Sequence, residues 1–351
     1  MVNTLRRYCA RAQVFGAIAL ATLLSACATP AAAPGTAAAP TTRAMAAVAP
    51  TLAPTPATPP TAAPAAESPA LPCITSPGVA TPDRFNPPMN PLPSVAAGNI
   101  AGSIDVAGQK RTYLVHVPAA INCGIESVPL LIVFHADEGN AQQMMDLSRF
   151  NAIADSQVFV VAYPNGSNGS AAWNAGACCG FGSDNTADDV AFTRALIDML
   201  LGSYRGDPKR IYVAGFSRGA MLAYRLGIEL ADEIAAIAPV SGTIITEQRQ
   251  PAQPVSVLAI HGDADPVVPY QSALKSVQFW GEADGCTASP TQQENDRLIQ
   301  QMYAGCKSNS AVWFYGVKKL GHAWPDQFEL NAQNISTAGL IWSFLSSHTK
   351  R

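Results

Sequence analysis

The plainest chemical signal in the chain is Gly215-Phe216-Ser217-Arg218-Gly219. Ile211 to Ala214, just before it, is a β-branched and aromatic run that reads as a buried strand. Met221 to Leu226, just after it, reads as an apolar helix. A G-x-S-x-G pattern between a strand and a helix predicts a nucleophile elbow. The turn is so tight that the serine must take a positive φ. Side chains two positions away on either side would collide, and Gly215 and Gly219 carry none. Such a turn lifts the Ser217 hydroxyl clear of the backbone and aims the first amides of the helix at a reacting carbonyl.

A serine hydroxyl needs a base, and the base needs an orienting acid. On an elbow of this kind the chain order is serine, acid, histidine. Of the five histidines, His116 and His135 precede Ser217, and His261 precedes any candidate acid. His348 ends the last expected helix. His322 follows Gly321 in a loop after the last expected strand, so it is the expected base. The acid belongs at the carboxyl end of a strand between Ser217 and His322. Val255 to Ile260 is such a strand, and the run after it, His261-Gly262-Asp263-Ala264-Asp265, offers Asp263 and Asp265. Developing oxyanion charge needs two backbone N–H donors. One is the residue after the nucleophile, Arg218; the other comes from the loop after the Leu130 to Phe134 strand.

These residues require a framework of alternating strands and helices. Gly102 to Val106 and Arg111 to Val117 alternate well around Ala107-Gly108 and predict an edge hairpin. Leu130 to Phe134 and Val158 to Ala162 are short continuous apolar runs, expected as buried strands around one helix over Ala141 to Asp155. A Gly-, Ser- and Asn-rich loop spans Asn165 to Ser183, and a helix spans Thr186 to Tyr204. Further strands are expected at Ile234 to Pro239, Val255 to Ile260 and Ala311 to Val317. A helix over Asn334 to His348 closes the chain. Strands alternating with helices mean an α/β fold with a mainly parallel sheet.

The bulk figures are consistent with one large domain in 351 residues. A net charge of −3 offers no basic face for nucleic acid. The 48% hydrophobic content is inflated by Ala and is not a membrane signature. The one strongly apolar segment is N-terminal, and it is too short and wrongly flanked to span a bilayer. Residues 1–27 read instead as a bacterial lipoprotein signal: Arg6, Arg7 and Arg11, then apolar Val14 to Leu24, then Leu24-Ser25-Ala26-Cys27, which resembles a lipobox. That implies cleavage before Cys27 and lipid on it, hence an exported cell-envelope lipoprotein, at the outer membrane or cell surface. Residues 28–98 are a linker and transition, almost wholly Ala, Pro and Thr as far as residue 72, without the side chains to bury a core. Residues 99–351 are the expected catalytic domain. No C-x-x-C, H-E-x-x-H or G-x-G-x-x-G occurs, so neither metal nor cofactor is expected.

The ordered set Y-L-V-H-V-P (Tyr113 to Pro118), W-N-A-G-A-C-C-G (Trp173 to Gly180), Asp188-Asp189-Val190, G-F-S-R-G, H-G-D-A-D-P-V-V-P-Y and G-H-A-W-P (Gly321 to Pro325) resembles the secreted polyhydroxybutyrate depolymerases and feruloyl esterases. These are relatives of carbohydrate esterase family 1. The resemblance covers Gly102 to the C-terminus and implies an α/β-hydrolase fold. It places the acid four residues after the histidine of H-G-x-x-D, which selects Asp265 and leaves Asp263 as a turn residue. It places the second oxyanion donor at Asp137, with His135-Ala136-Asp137 standing where the family has H-G-x. A carboxylate on that donor would repel an oxyanion, so the Asp137 side chain is expected to turn towards Asn140 or the helix start. Asp188 and Asp189 are expected as a helix N-terminus. Trp173 and Trp324, on loops near the triad, are expected as substrate-binding walls of an acyl pocket.

With Cys9 in the signal and Cys27 lipidated, six cysteines remain, an even count that fits disulfides outside the cytoplasm. The resemblance pairs Cys286 with Cys306; Cys73, Cys123, Cys178 and Cys179 leave three pairings open. The expected activity is a serine carboxylic-ester hydrolase acting through an acyl-enzyme. Its substrates would be small or oligomeric feruloyl or short hydroxyalkanoate esters, because nothing in the chain reads as a separate polymer-binding module. The alternatives are an extracellular polyester depolymerase and, more remotely, a non-catalytic surface-anchored binding protein on the same fold.

Overall fold

The centre of the molecule is built from strands that have no polar face. β3 (Val128–Phe134), β6 (Ala236–Val240) and β7 (Ser256–Gly262) are buried along their whole length. Such runs are what a parallel sheet covered by helices on both faces requires. The computed structural model describes residues 92, 94–167, 173–176, 187–246, 250–287, 289–330 and 333–350. The signal segment with Cys27, almost all of the expected linker, and Cys73, Cys178 and Cys179 lie outside the described residues.

The remaining strands are β1 (Gly98–Val106), β2 (Gln109–Val117), β4 (Val160–Pro164), β5 (Gly206–Phe216), β8 (Thr291–Glu294), β9 (Leu298–Tyr303), β10 (Val312–Val317), β11 (Gln327–Leu330) and β12 (Gln333–Ser336). Ten of the twelve strands described form one sheet in the order β1-β2-β4-β3-β5-β6-β7-β10-β9-β8, and β11 and β12 pair separately. The run from β4 to β10 is parallel. Both edges are antiparallel hairpins. The β1–β2 turn at Ala107 and Gly108 has φ of 50° and 77°, as a tight two-residue hairpin needs.

Alternate residues of β3 feed different cores. Leu130, Ile132 and Phe134 join a cluster with side chains of α3 (Asp189–Ser203), α4 (Arg218–Glu229) and α5 (Tyr270–Ala283). Leu131 and Val133 join one with α1 (Ala141–Ser148), α2 (Phe150–Gln157) and α6 (Thr337–Leu345). The helices therefore cover the two faces in threes, and the sheet is a middle layer.

Several expectations shift. The single helix over Ala141 to Asp155 is two, because Arg149 takes a left-handed φ of 58° between α1 and α2. The closing helix begins at Thr337, its expected first turn being β12. The segment between Cys286 and Cys306, for which no strand was expected, holds the β8–β9 hairpin that extends the sheet past β10. Among the described residues no helix is long and apolar enough to cross a membrane.

Candidate active site

Ser217 lies between β5 and α4 with φ 54° and ψ −116°, a backbone conformation that a side-chain-bearing residue holds only under constraint. The glycines make it possible. A Cβ on Gly215 would lie 2.3 Å from the Gly219 carbonyl oxygen, and one on Gly219 would lie 2.4 Å from the Phe134 oxygen. The first contact closes the elbow on itself; the second lets α4 press against the end of β3. The Ser217 N–H is anchored by the Val240 carbonyl at 2.9 Å.

The structure brings the expected histidine and acid to this serine. His322 Nδ1 is 2.8 Å from Asp265 Oδ2, and His322 Nε2 is 2.8 Å from Ser217 Oγ. An ionised carboxylate can only accept, so Nδ1 carries the proton and Nε2 is left to accept from the serine hydroxyl. Burial alone would raise the Asp265 pKa. Hydrogen bonds from His322 and from the Val268 and Val267 amides outweigh that and hold it below the ordinary carboxylate range. Both amides donate to Oδ1, at 2.9 and 2.8 Å.

The His322 loop is held by contacts invisible in a motif. A Cβ on Gly262, at the end of β7, would lie 2.2 Å from the Leu320 oxygen and 2.6 Å from the Gly321 oxygen. Asp263 accepts from the Lys319 amide at 2.6 Å, so it fastens the same loop and takes no part in the relay. Ser241 Oγ donates to the Ala323 carbonyl at 3.2 Å. Phe216 stacks on the His322 imidazole with centroids 5.3 Å apart and planes 26° off parallel. Sequence reasoning missed Phe216, although an aromatic residue beside the nucleophile was a visible signal; nothing local pointed to Ser241.

His261 is fully enclosed. Burial lowers its pKa, and its Nε2–H donates to the Val268 carbonyl at 2.9 Å, pinning the turn that carries Asp265. That is a structural place.

On the opposite side of Ser217, β3 and β5 are in register, Phe134 beside Gly215, so the His135-Ala136-Asp137 turn runs alongside the elbow. His135 Nδ1 donates to the Ala136 carbonyl at 2.7 Å, and its Nε2 accepts from the Gly166 amide at 3.1 Å. Burial lowers its pKa, which keeps the ring neutral in that arrangement. The Asp137 carboxylate is 3.4 Å from Arg218 Nε. The expectation that it turns towards Asn140 or the helix start is corrected: it turns to Arg218, which offers a full positive charge, while Asn140 Oδ1 caps α1 by accepting from the Gln143 amide at 2.9 Å.

The two tryptophans are less open than expected. Trp173 is completely buried, edge-on to Phe134, and its indole N–H donates to the His135 carbonyl at 2.9 Å. That position braces the His135-Ala136-Asp137 turn instead of walling an open pocket. Trp324 is 7% exposed and packs edge-on to Phe216, beneath the ring that stacks on His322. Asp188 caps α3 through the Ala191 amide, as expected. Asp189 is the first residue of α3, also as expected, and it has a second part besides. It is wholly buried, bridges Arg111 at 2.6 Å and accepts from the Asn174 amide at 2.6 Å, tying the Trp173 segment to β2. Cys286 and Cys306 form a disulfide.

The sequence pattern of the esterase PHB depolymerase family matches residues 111–315. The chain belongs to this family. Named relatives agree with the family over a similar share of the chain. NocK of Nocardia uniformis subsp. tsuyamanensis, whose name marks it as an inferred esterase, is 35% identical over 204 residues, 58% of either chain. Feruloyl esterase B of Piromyces equi is 33% identical over 235 residues, 61% of this chain and 42% of that one. The chain spans about half the length of these curated relatives. The solved acetyl xylan esterase from Aspergillus awamori superposes with a TM-score of 0.54 at 13% identity, over 70% of this chain and 99% of that one. That likeness carries the fold, which is the α/β-hydrolase fold expected of the family.

Proposed function

We propose that the protein is a serine carboxylic-ester hydrolase. The observation that carries this is the continuous relay from Ser217 Oγ through His322 to Asp265, on an elbow held at positive φ. Ser217 Oγ attacks the ester carbonyl carbon as its proton passes to His322 Nε2. The oxyanion faces the backbone N–H groups of Arg218 and Asp137. His322 then returns the proton to the leaving alcohol, which departs and leaves an acyl-enzyme. Water, deprotonated by the same nitrogen, releases the acid and restores the serine. Asp265 stays ionised and holds the imidazole with Nε2 free.

Feruloyl or short hydroxyacyl esters are the substrates we favour. Support comes from family membership and from the feruloyl esterase among the relatives. The expected lipobox supports an exported protein anchored through Cys27, with residues 28–98 as its tether. Mass spectrometry of the mature N-terminus tests the anchor, an unlipidated terminus being the contrary result. The substrate test compares kcat/KM for methyl ferulate and a hydroxybutyrate trimer with clearing of a polymer film. Turnover of at least one small ester supports the reading; film clearing with neither small ester cleaved would reassign the protein as a polymer depolymerase.

A further inference from the structure

We propose that Arg218 is a positioning residue for the oxyanion site, acting through the carboxylate of Asp137. The inference rests on the esterase reading above. Its starting point is an electrostatic conflict within this chain. Arg218 and Asp137 are the two residues whose backbone N–H groups face the developing oxyanion, and one of them carries an acid. Covalent geometry keeps that carboxylate close to its own N–H, so an unpaired negative charge would oppose the charge the site must stabilise. Half of the Asp137 side chain is exposed, which leaves it free to choose among rotamers.

The Arg218 guanidinium resolves the conflict. Its Nε lies 3.4 Å from both carboxylate oxygens, and its side chain is 12% exposed. A largely buried cation holds on to a half-exposed anion, because a guanidinium that let go would be left as an uncompensated buried charge. The bridge turns the carboxylate towards the arginine stem and neutralises it. It also ties the first residue of α4 to the turn after β3, at the contact Gly219 makes possible with the Phe134 and His135 carbonyls. The side chains of the two donors thus compensate each other while their backbones do the chemistry. The oxyanion bears its charge only in the transition state and the tetrahedral intermediate, so this compensation acts on kcat and leaves KM nearly alone.

The test is a double-mutant cycle on the full chain with a p-nitrophenyl ester, using Arg218→Gln, Asp137→Asn and the pair together. Arg218→Gln exposes the uncompensated carboxylate and should lower kcat on the order of 10- to 100-fold, below the loss for removing a whole oxyanion donor. Adding Asp137→Asn removes the charge, keeps the N–H, and should recover kcat at least severalfold over Arg218→Gln alone. A role limited to fastening the turn predicts the opposite, with the double variant no faster than Arg218→Gln. Arg218→Lys keeps the charge without the fork and should fall between parent and Arg218→Gln, which provides the test if the glutamine variant does not fold. An active parent with no recovery in the double variant, or with a loss expressed in KM, overturns this inference alone. A parent that cleaves no ester overturns it together with the proposed function.

Discussion

Replacing Asp265 by Asn keeps the shape of the acid and reverses one hydrogen bond. The surroundings dictate which way the new amide must face. Oδ1 of Asp265 accepts from the Val267 and Val268 amides, so the carbonyl oxygen of an asparagine must take that place. Flipping it would set an NH₂ group against two N–H donors and forfeit two buried hydrogen bonds, each worth about 1 kcal/mol before any repulsion. The NH₂ group therefore points at His322 Nδ1, now 2.8 Å from Oδ2. A donor there requires Nδ1 to be bare, which moves the ring proton to Nε2. Nε2 then cannot accept from Ser217 Oγ. The expected loss in kcat is about 10⁴, as for the wrong imidazole tautomer in a triad of this kind, or roughly 5.5 kcal/mol of transition-state stabilisation. Steady-state kinetics on a p-nitrophenyl ester measure it, with chemical denaturation to check that the fold is kept. An Asp265→Asn protein within about tenfold of the parent in kcat would refute the relay; the same loss from Asp263→Asn would transfer the role.

Other perturbations read other parts of the structure. Gly262→Ala puts a Cβ 2.2 Å from a backbone oxygen of the His322 loop, so the loop must move, and kcat/KM should fall on the order of 100-fold; an unchanged value would mean that β7 does not set the loop. Trp173→Phe removes the N–H bound to the His135 carbonyl and should cost about 1–3 kcal/mol in denaturant stability, with a lower kcat; loss of neither would show that the indole merely fills space. Asp284 is pushed up by burial to about 6, from an ordinary value of 3.8. Its native form keeps a proton that the unfolded form gives up, so its contribution to stability is present below about pH 4 and lost as pH rises through about 6, by roughly 3 kcal/mol. Asp284→Asn should flatten that part of the stability–pH curve, and parallel curves for the two proteins would contradict the assignment.

Much of the site was legible because its residues are bound to local backbone form. Gly215 and Gly219 are dictated by the Ser217 turn, and the apolar runs of β3, β6 and β7 by burial on both faces. What stayed hidden depends on contacts distant in sequence. Gly262 is required by Leu320 and Gly321, Ser241 holds Ala323, and Asp189 reaches back to Arg111. The break at Arg149 was missed because no glycine or proline between Ala141 and Asp155 marks it. The β8–β9 hairpin was missed because exposed β8 and half-buried β9, both with paired glutamines, carry no apolar alternation. The tryptophans show the limit of placing a residue by its neighbourhood: Trp173 and Trp324 do adjoin the site, but both support its loops from beneath.

The central claim is that Ser217 is the activated nucleophile. Its most direct test is intact-mass and peptide-mapping mass spectrometry of the full chain after exposure to a fluorophosphonate. One adduct on Ser217, absent from Ser217→Ala and much slower to form in Asp265→Asn, is the predicted result. An active protein that takes up no adduct, or takes it up at another residue while Ser217→Ala keeps its turnover, would contradict the account.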